Sequence, residues 1–433
     1  MDTSVLARCC GNHDSKLLRL GALIWILMAS CFFVFFKFHH GRTSWIGGTQ
    51  GAGGHAFCNT TDISDFCETV GDVRVDGSTA TVYVAGRTRS EDALWKIKPY
   101  GRKSDPTAMQ NVRQWEVKLV SKEAPSCTHT HSAPGILFST GGYADNLFHN
   151  MADTLLPLFA EAKPFNGKVE FLLTDGSNQP SFVKKFQPLL RVLSGFNPLD
   201  IDYQQPGLIH CFPSLIIGHK HRSEKELSLE SSGTQHSAQD FIDFGRSVLN
   251  LQKTRSIELP FSGMRIPRVL IVERKGSRVI TNSNSVYEVA RRLGMKVLVH
   301  ELESDIEDIA QAANVCDIVL GVYGSGLTSA VFLPENGIVI QILPFGVPEE
   351  LAWRRFEEPL KEIGMRYVEY KAALGESSVK DEYPTDHVAV TDPIEIAALG
   401  MDAVRKTYLS QNVTLNITRF EATLVQAMKL LDL

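Results

Sequence analysis

Apolar residues first gather without a break from Leu20 to Phe36, where the chain reads LGALIWILMASCFFVFF between Arg19 and Lys37. An uncharged run of this kind sits near the lower end of what crosses a bilayer, roughly 17–25 residues. A cleaved signal sequence would carry a shorter apolar stretch closed by small residues. Here Lys37, Phe38, His39 and His40 follow, so the pattern predicts a retained signal anchor. Arg8, Lys16 and Arg19 before the span outnumber Lys37 and Arg42 after it, which favours a cytosolic N-terminus by a small margin. The expected order is a tail over 1–19, a transmembrane segment over 20–36 and a stem over 37–57 that is rich in Gly, Ser and Thr.

Folded sequence is expected from Cys58 onward. Val73–Val84 reads as two strands about a Gly-Ser turn, and Val169–Thr174 and Leu208–Ile217 read as further strands. Ser237–Leu251 has a helical pattern, and Pro260–Pro267 breaks periodicity with Gly and two prolines. This divides the folded part into 58–259 and 268–433, joined by a linker over 260–267. Beyond the linker the alternation is regular. Arg268–Val272 is an apolar strand, and Val286, Val289, Ala290 and Leu293 share one helical face. Lys296–His300 is a strand, and Ser304-Asp305-Ile306-Glu307 reads as a capping box ahead of Ile306, Ile309, Ala310 and Ala313. Asp317–Val322 and Gly337–Leu343 are buried strands, and Phe420, Leu424, Met428 and Leu431 mark an amphipathic terminal helix. Such alternation predicts an α/β fold with a parallel, doubly wound sheet.

Composition adds little to this picture except at two points. A formal net charge of -5 over 433 residues leaves no electrostatic footprint for nucleic acid. Beyond the span lie three N-glycosylation triplets, at Asn59, Asn412 and Asn416, and five of the eight cysteines, which fits a luminal C-terminal portion. An odd luminal count leaves one thiol unpaired in a monomer. Cys316, at the head of an apolar strand, is expected to be that buried thiol, and Cys58 with Cys67 is the expected local disulfide.

Three clusters carry candidate chemistry. Tyr323-Gly324-Ser325-Gly326 follows a buried strand and precedes a helical run, so its backbone can approach an anion, and Ser325 is placed to cap the helix. It is not a dinucleotide fingerprint, because Ser329 stands where the third glycine would be. Arg274, Lys275 and Arg278 follow the strand ending at Val272 and are placed to neutralise a leaving diphosphate. In the third cluster Gly141-Gly142-Tyr143 leads into a helix on which His149 and Asp153, four apart, share a face as a general base and its carboxylate would. Asp145 is the alternative base. Asp200 and Asp202 could in principle hold a cation, but such pairs are commonplace in loops and no metal is expected there.

The stretches GGYADNLFHNMADTLLPLF, ERKGSRVITN and DIVLGVYGSGLTSAVFLPENGIVIQILPFG, in this order, resemble glycosyltransferase family 61. The likeness extends from about Cys58 to the C-terminus. It implies a GT-B fold, two Rossmann-like halves facing a cleft, in a type II Golgi membrane protein that works by inversion. It also implies a UDP-pentose donor, a polysaccharide or glycan acceptor, xylan above all, and other glycosyltransferases as partners, with no metal cofactor. The chain departs from the family pattern at Asn150, where Asp is usual, at Tyr323, where His is usual, and at Ser329, where Asn is usual. Those departures leave two further readings open: a glycan-binding or scaffold relative, and an N-glycan β-1,2-xylosyltransferase. A nicotinamide-dependent oxidoreductase follows from the glycine turn alone. It lacks an acidic residue at a strand end at the required spacing.

Overall fold

Parallel pairing dominates where the apolar runs are unbroken, and antiparallel pairing appears where a tight turn joins neighbours. A computed structural model describes residues 54–431 apart from 62, 87–92, 121–123, 144, 175–178, 203, 221–236, 258–265 and 302. The candidate membrane span, the tail and all but the end of the stem therefore lie outside the described residues, as does most of the candidate linker.

The first sheet holds ten strands: β1 (His55–Asn59), β2 (Phe66–Asp76), β3 (Thr81–Ala85), β4 (Ala93–Ile97), β5 (Trp115–Val120), β6 (His129–Thr130), β7 (Gly135–Phe138), β8 (Glu170–Leu173), β9 (Leu199–Asp200) and β10 (Ile209–Gly218). Its main path runs β4-β5-β3-β2-β10-β7-β8-β9, with β1 on β2 and β6 on β10. Only part of it is parallel. β7, β8, β9 and β10 run together, whereas β2 pairs antiparallel with β1, β3 and β10. The N-terminal half expected to be Rossmann-like is thus built on a mixed sheet, and β2 and β3 are the two strands read about the Gly-Ser turn: the turn over Gly77–Ala80 is too short for a crossover, so it forces a hairpin. Strand β1 also claims His55–Phe57, which composition alone assigns to the stem. Cys58 and Cys67 are direct partners across β1 and β2 and form a disulfide. A second disulfide joins Cys127 to Cys211, and Cys316 is a buried free thiol whose pKa burial pushes up to about 12.

The second sheet has five strands, β11 (Arg268–Val272), β12 (Lys296–His300), β13 (Ile318–Val322), β14 (Ile338–Leu343) and β15 (Arg366–Lys371), in the order β12-β11-β13-β14-β15. Every pair is parallel. On one face Val286, Val289, Phe420 and Leu424 pack against Val269, Ile271 and Ile340. On the other, Ile306, Ile309 and Ala310 pack in a core that also takes in Phe138, Leu155, Phe159 and Phe171. Parallel strands covered on both faces need apolar side chains on both, which is why β11, β13 and β14 read as continuous apolar runs. That second core is common to the two sheets, and Gly53–Leu433 forms one compact unit. The chain order reverses between β11 and β13, the switch point where open α/β sheets bind ligands.

Two helix starts differ from expectation. The helix Ile306–Asn314 begins after Asp305, with no side-chain capping bond, so the box read at Ser304 does not form. The run after β13 is a 3-10 helix, Ser325–Phe332, whose first flanking residue is Gly324. Ser325 lies inside it and caps nothing.

Candidate functional site

At the switch point, Glu273 to Arg278 leave β11 and Tyr323 to Ser325 leave β13. Facing them is a helical run made of Leu147–His149, a π-helical turn Asn150–Leu155 and the α-helix Leu156–Ala162. Between them lies a cleft of about 400 Å³ lined by Arg274, Ser277, Arg278, Tyr323, Gly324 and Ser325 on one side and Asp105, Tyr143, Asn146, Phe148 and His149 on the other. Arg355, Phe356, Met401, Arg405, Leu409 and Ser410 complete the wall. The volume suits a nucleotide-sized ligand. All three sequence clusters thus open onto one space.

The arginine side is unusual in its lack of counter-charge. Arg274 donates from Nε to the Ser277 carbonyl at 3.2 Å, and Arg278 donates from Nη1 to the Tyr323 carbonyl at 3.0 Å. Neither makes an ion pair with a carboxylate among the described residues. Buried Arg278 Nε has no hydrogen-bond partner there either. Burial, then repulsion from Arg274, pulls the Arg278 pKa down to about 10, and burial lowers that of Arg274. A protein that concentrates desolvated guanidinium groups is built for an anion. Gly324 makes the approach possible: a Cβ there would lie 2.6 Å from Arg274 Nη1 and 3.1 Å from Arg278 Nη1. Arg278 itself has φ of 57°, a left-handed conformation held by its N–H donating to the Gln411 carbonyl at 2.7 Å. The neighbouring Val279 N–H donates to Asn412 Oδ1 at 3.0 Å, so this glycosylation triplet braces the arginine loop. Asn416, by contrast, is exposed and caps the helix Ile417–Leu430, and Asn59 accepts from Thr61 at the end of β1.

On the opposite side, His149 Nδ1 and Asp153 Oδ2 are 2.7 Å apart. Asp153 is 1% exposed. Burial pushes its carboxyl pKa up, but the Arg102 charge and hydrogen bonds from His149 and Arg102 outweigh it and hold the group well below the usual carboxylate range. An ionised carboxylate only accepts, so Nδ1 is the donor of this bond and Nε2 is the ring nitrogen left for other partners. Asn146 Oδ1 caps this helical start, accepting from the N–H groups of Phe148 and His149. The Tyr143 ring stacks on the imidazole with centroids 3.9 Å apart and planes 9° from parallel, and its hydroxyl donates to Asp105 Oδ2 at 3.0 Å. The π-turn begins immediately after His149, and such turns are frequent at functional sites.

Not every expected residue reaches the cleft. Asp145 is exposed and Gly326 lies behind Ser325, neither lining it. Asn150 is wholly buried and outside the lining. Tyr323 does line it. Asp202 accepts from Arg113 at 2.9 Å and from Thr174 at 2.8 Å, away from the cleft, with Asp200 accepting from its N–H. Sequence reasoning missed Asp105, Arg355, Arg405 and the Tyr100–Arg102 pair behind Asp153. Tyr143 was within reach, since it sits inside the glycine-led motif.

Among known proteins, the model of the family Glycosyltransferase 61 matches residues 147–340. An α-1,3-arabinosyltransferase of Oryza sativa subsp. japonica is 36% identical over 377 residues, which is 85% of this chain and 64% of the relative. The chain thus spans somewhat less than two thirds of that protein. A β-1,2-xylosyltransferase of the same plant is 31% identical over 401 residues, 87% of this chain and 84% of the relative. A xylan glycosyltransferase of Arabidopsis thaliana is 30% identical over 390 residues, 84% and 77% of the two chains.

Proposed function

The chain belongs to glycosyltransferase family 61, and on that premise we propose that it is an inverting pentosyltransferase of the GT-B type, moving arabinose or xylose from a UDP-sugar to xylan. The observation that carries this reading is the cleft itself, with unpaired positive charge on one wall and a carboxylate-backed imidazole on the other. The diphosphate lies against Arg274, Arg278 and the start of the helix at Ser325. The acceptor hydroxyl lies at His149. Its oxygen bonds to the anomeric carbon as the bond from that carbon to the diphosphate oxygen breaks. The hydroxyl proton passes to His149 Nε2, and UDP leaves carrying the bond's electron pair. Inversion needs base and leaving group on opposite sides of the anomeric carbon, which two facing walls supply. Guanidinium charge takes the place that a divalent cation would otherwise fill.

Its test is a screen of full-length protein with UDP-xylose and UDP-arabinose against xylo-oligosaccharides and an N-glycan, in the presence of EDTA. Transfer to xylo-oligosaccharide that survives EDTA is the expected result. Transfer only to the N-glycan would move the acceptor assignment, and loss in EDTA restored by manganese would overturn the metal-free mechanism. No transfer from either donor would favour a glycan-binding relative, the reading that Tyr323 in place of the family's usual His supports.

The uncharged run over Leu20–Phe36 and the three triplets beyond it support a single-pass type II protein of the Golgi membrane with its cleft in the lumen. In intact vesicles the folded part is then expected to resist added protease, and a glycosidase should lower its apparent mass. Digestion of that part without detergent would reverse the topology.

A further inference from the structure

Asp153 has more partners than the orientation of one histidine requires. Besides His149, its carboxylate accepts from the Tyr100 hydroxyl at 2.7 Å and from Arg102, through Nη2 at 2.6 Å and through Nε at 3.1 and 3.2 Å. Tyr100 and Arg102 come from the loop between β4 and the helix Pro106–Asn111. Gly101 between them lies so close to the π-turn that a Cβ would stand 2.4 Å from the Asp153 carbonyl oxygen. This segment is therefore fitted onto the turn that holds Asp153, from behind the cleft. Neither Tyr100 nor Arg102 lines the cleft.

We infer that Arg102 and Tyr100 are positioning residues that set the pH at which the His149–Asp153 pair takes up its proton, by drawing off the carboxylate's charge. The inference rests on His149 being the base. A buried carboxylate 2.7 Å from an imidazole, with no other partner, would hold the imidazolium form and leave no lone pair for the acceptor hydroxyl. Arg102 satisfies that carboxylate with a full opposite charge in a two-pronged contact, so less of the carboxylate's charge falls on the ring it orients. The Tyr100 hydroxyl removes a further share. Its own pKa is raised by burial and by Asp153, so it remains a donor throughout the working range. The Arg102 guanidinium lies 5.9 Å from the Phe148 ring centroid, and Arg355 lies 5.6 Å from the same ring. The other charged or titratable groups that face the pair are Tyr143 and, through it, Asp105 on the near wall, with Arg274, Arg278, Arg355 and Arg405 around the cleft. The variants below leave all of them in place.

The experiment is the pH dependence of kcat for the full chain, with UDP-xylose or UDP-arabinose as the parent uses and a xylo-oligosaccharide acceptor. In Tyr100→Phe the acid limb is expected to move to higher pH by several tenths of a unit, and in Arg102→Met by about one unit, because the pair then binds its shared proton more tightly. Arg102→Lys keeps the charge and should keep the limb near its parental position. UDP affinity should be unchanged in all three. A structural role alone would lower the rate evenly at every pH with the limb unmoved, and that result in Tyr100→Phe and Arg102→Met overturns the inference. Should Arg102→Met fail to fold, Tyr100→Phe, which removes one oxygen from a buried ring, still decides it. His149→Ala separates this failure from that of the base assignment. If the parental acid limb persists without His149, the base assignment falls and takes the inference with it. If the limb vanishes in His149→Ala yet stays in place in Tyr100→Phe, only the tuning role is lost.

Discussion

Arg278→Ala is expected to lower kcat/KM by about 10²–10³-fold and to weaken UDP binding in a titration, while the unliganded protein melts at or above the parental temperature. The two effects share one cause. Arg278 is held in a left-handed backbone conformation, beside Arg274, with its pKa depressed to about 10 by burial and by that neighbour. Without an anion, burial and the neighbouring Arg274 charge disfavour the guanidinium, so removing it relieves the free protein, while the left-handed backbone strain is the same for alanine. With a diphosphate in the cleft the same guanidinium supplies charge and a forked donor where the leaving group accumulates negative charge. Arg278→Lys should recover part of the binding and little of the rate, because a lysine keeps the charge and loses the fork. A variant that melts far below the parent and binds UDP normally would show that Arg278 serves the loop rather than the ligand.

How much of this was legible in the sequence follows from how local each feature is. Four of the five strands of the second sheet were readable: β11, β13 and β14 are buried on both faces and carry unbroken apolar runs, and β12 followed from its place in the alternation although it is a half-exposed edge, whereas β15, RYVEYK, mixes polar and apolar residues at the other edge and gave no strand signal. The three chemical clusters were readable because each stands at the end of such a strand or at a glycine-led helix start. Pairing was not readable. β2 lies beside β10, far along the chain, and no periodicity encodes that choice. Neither was the π-turn over Asn150–Leu155, since one extra residue in a helical turn leaves the apolar pattern almost unchanged. Arg102 and Tyr100 carried no signal at all in sequence. A tyrosine and an arginine about a glycine in a loop are ordinary until Gly101 is seen against the Asp153 carbonyl. Likewise Asn412 read only as the start of a glycosylation triplet and Gln411 before it carried no signal, yet the Gln411 carbonyl accepts from the Arg278 backbone and Asn412 Oδ1 from that of Val279. The readable part of the site is the part that meets the ligands, and the unreadable part is the scaffolding behind it.

His149→Ala should behave in the opposite way to Arg278→Ala: UDP affinity close to the parent's, with kcat lower by about 10²–10⁴-fold, the range for loss of a general base. The argument is geometric. His149 stands on the wall opposite the arginines, fixed by three independent contacts: Asp153 at Nδ1, the Tyr143 ring stacked at 3.9 Å, and Asn146 capping its N–H. A ring held this firmly has one free atom, Nε2, and truncation removes that atom without touching Arg274, Arg278 or Gly324. Asp153→Asn tests the same assignment from behind. The amide can donate as well as accept, so it no longer fixes the proton on Nδ1, and it leaves Arg102 without its counter-charge. Its kcat should fall toward that of His149→Ala, and the double variant should be no worse than the weaker single, since both remove one unit of function. If His149→Ala instead loses UDP binding and keeps kcat, the imidazole belongs to the donor side and the base must be sought elsewhere, first at Asp105, the carboxylate among the described lining residues.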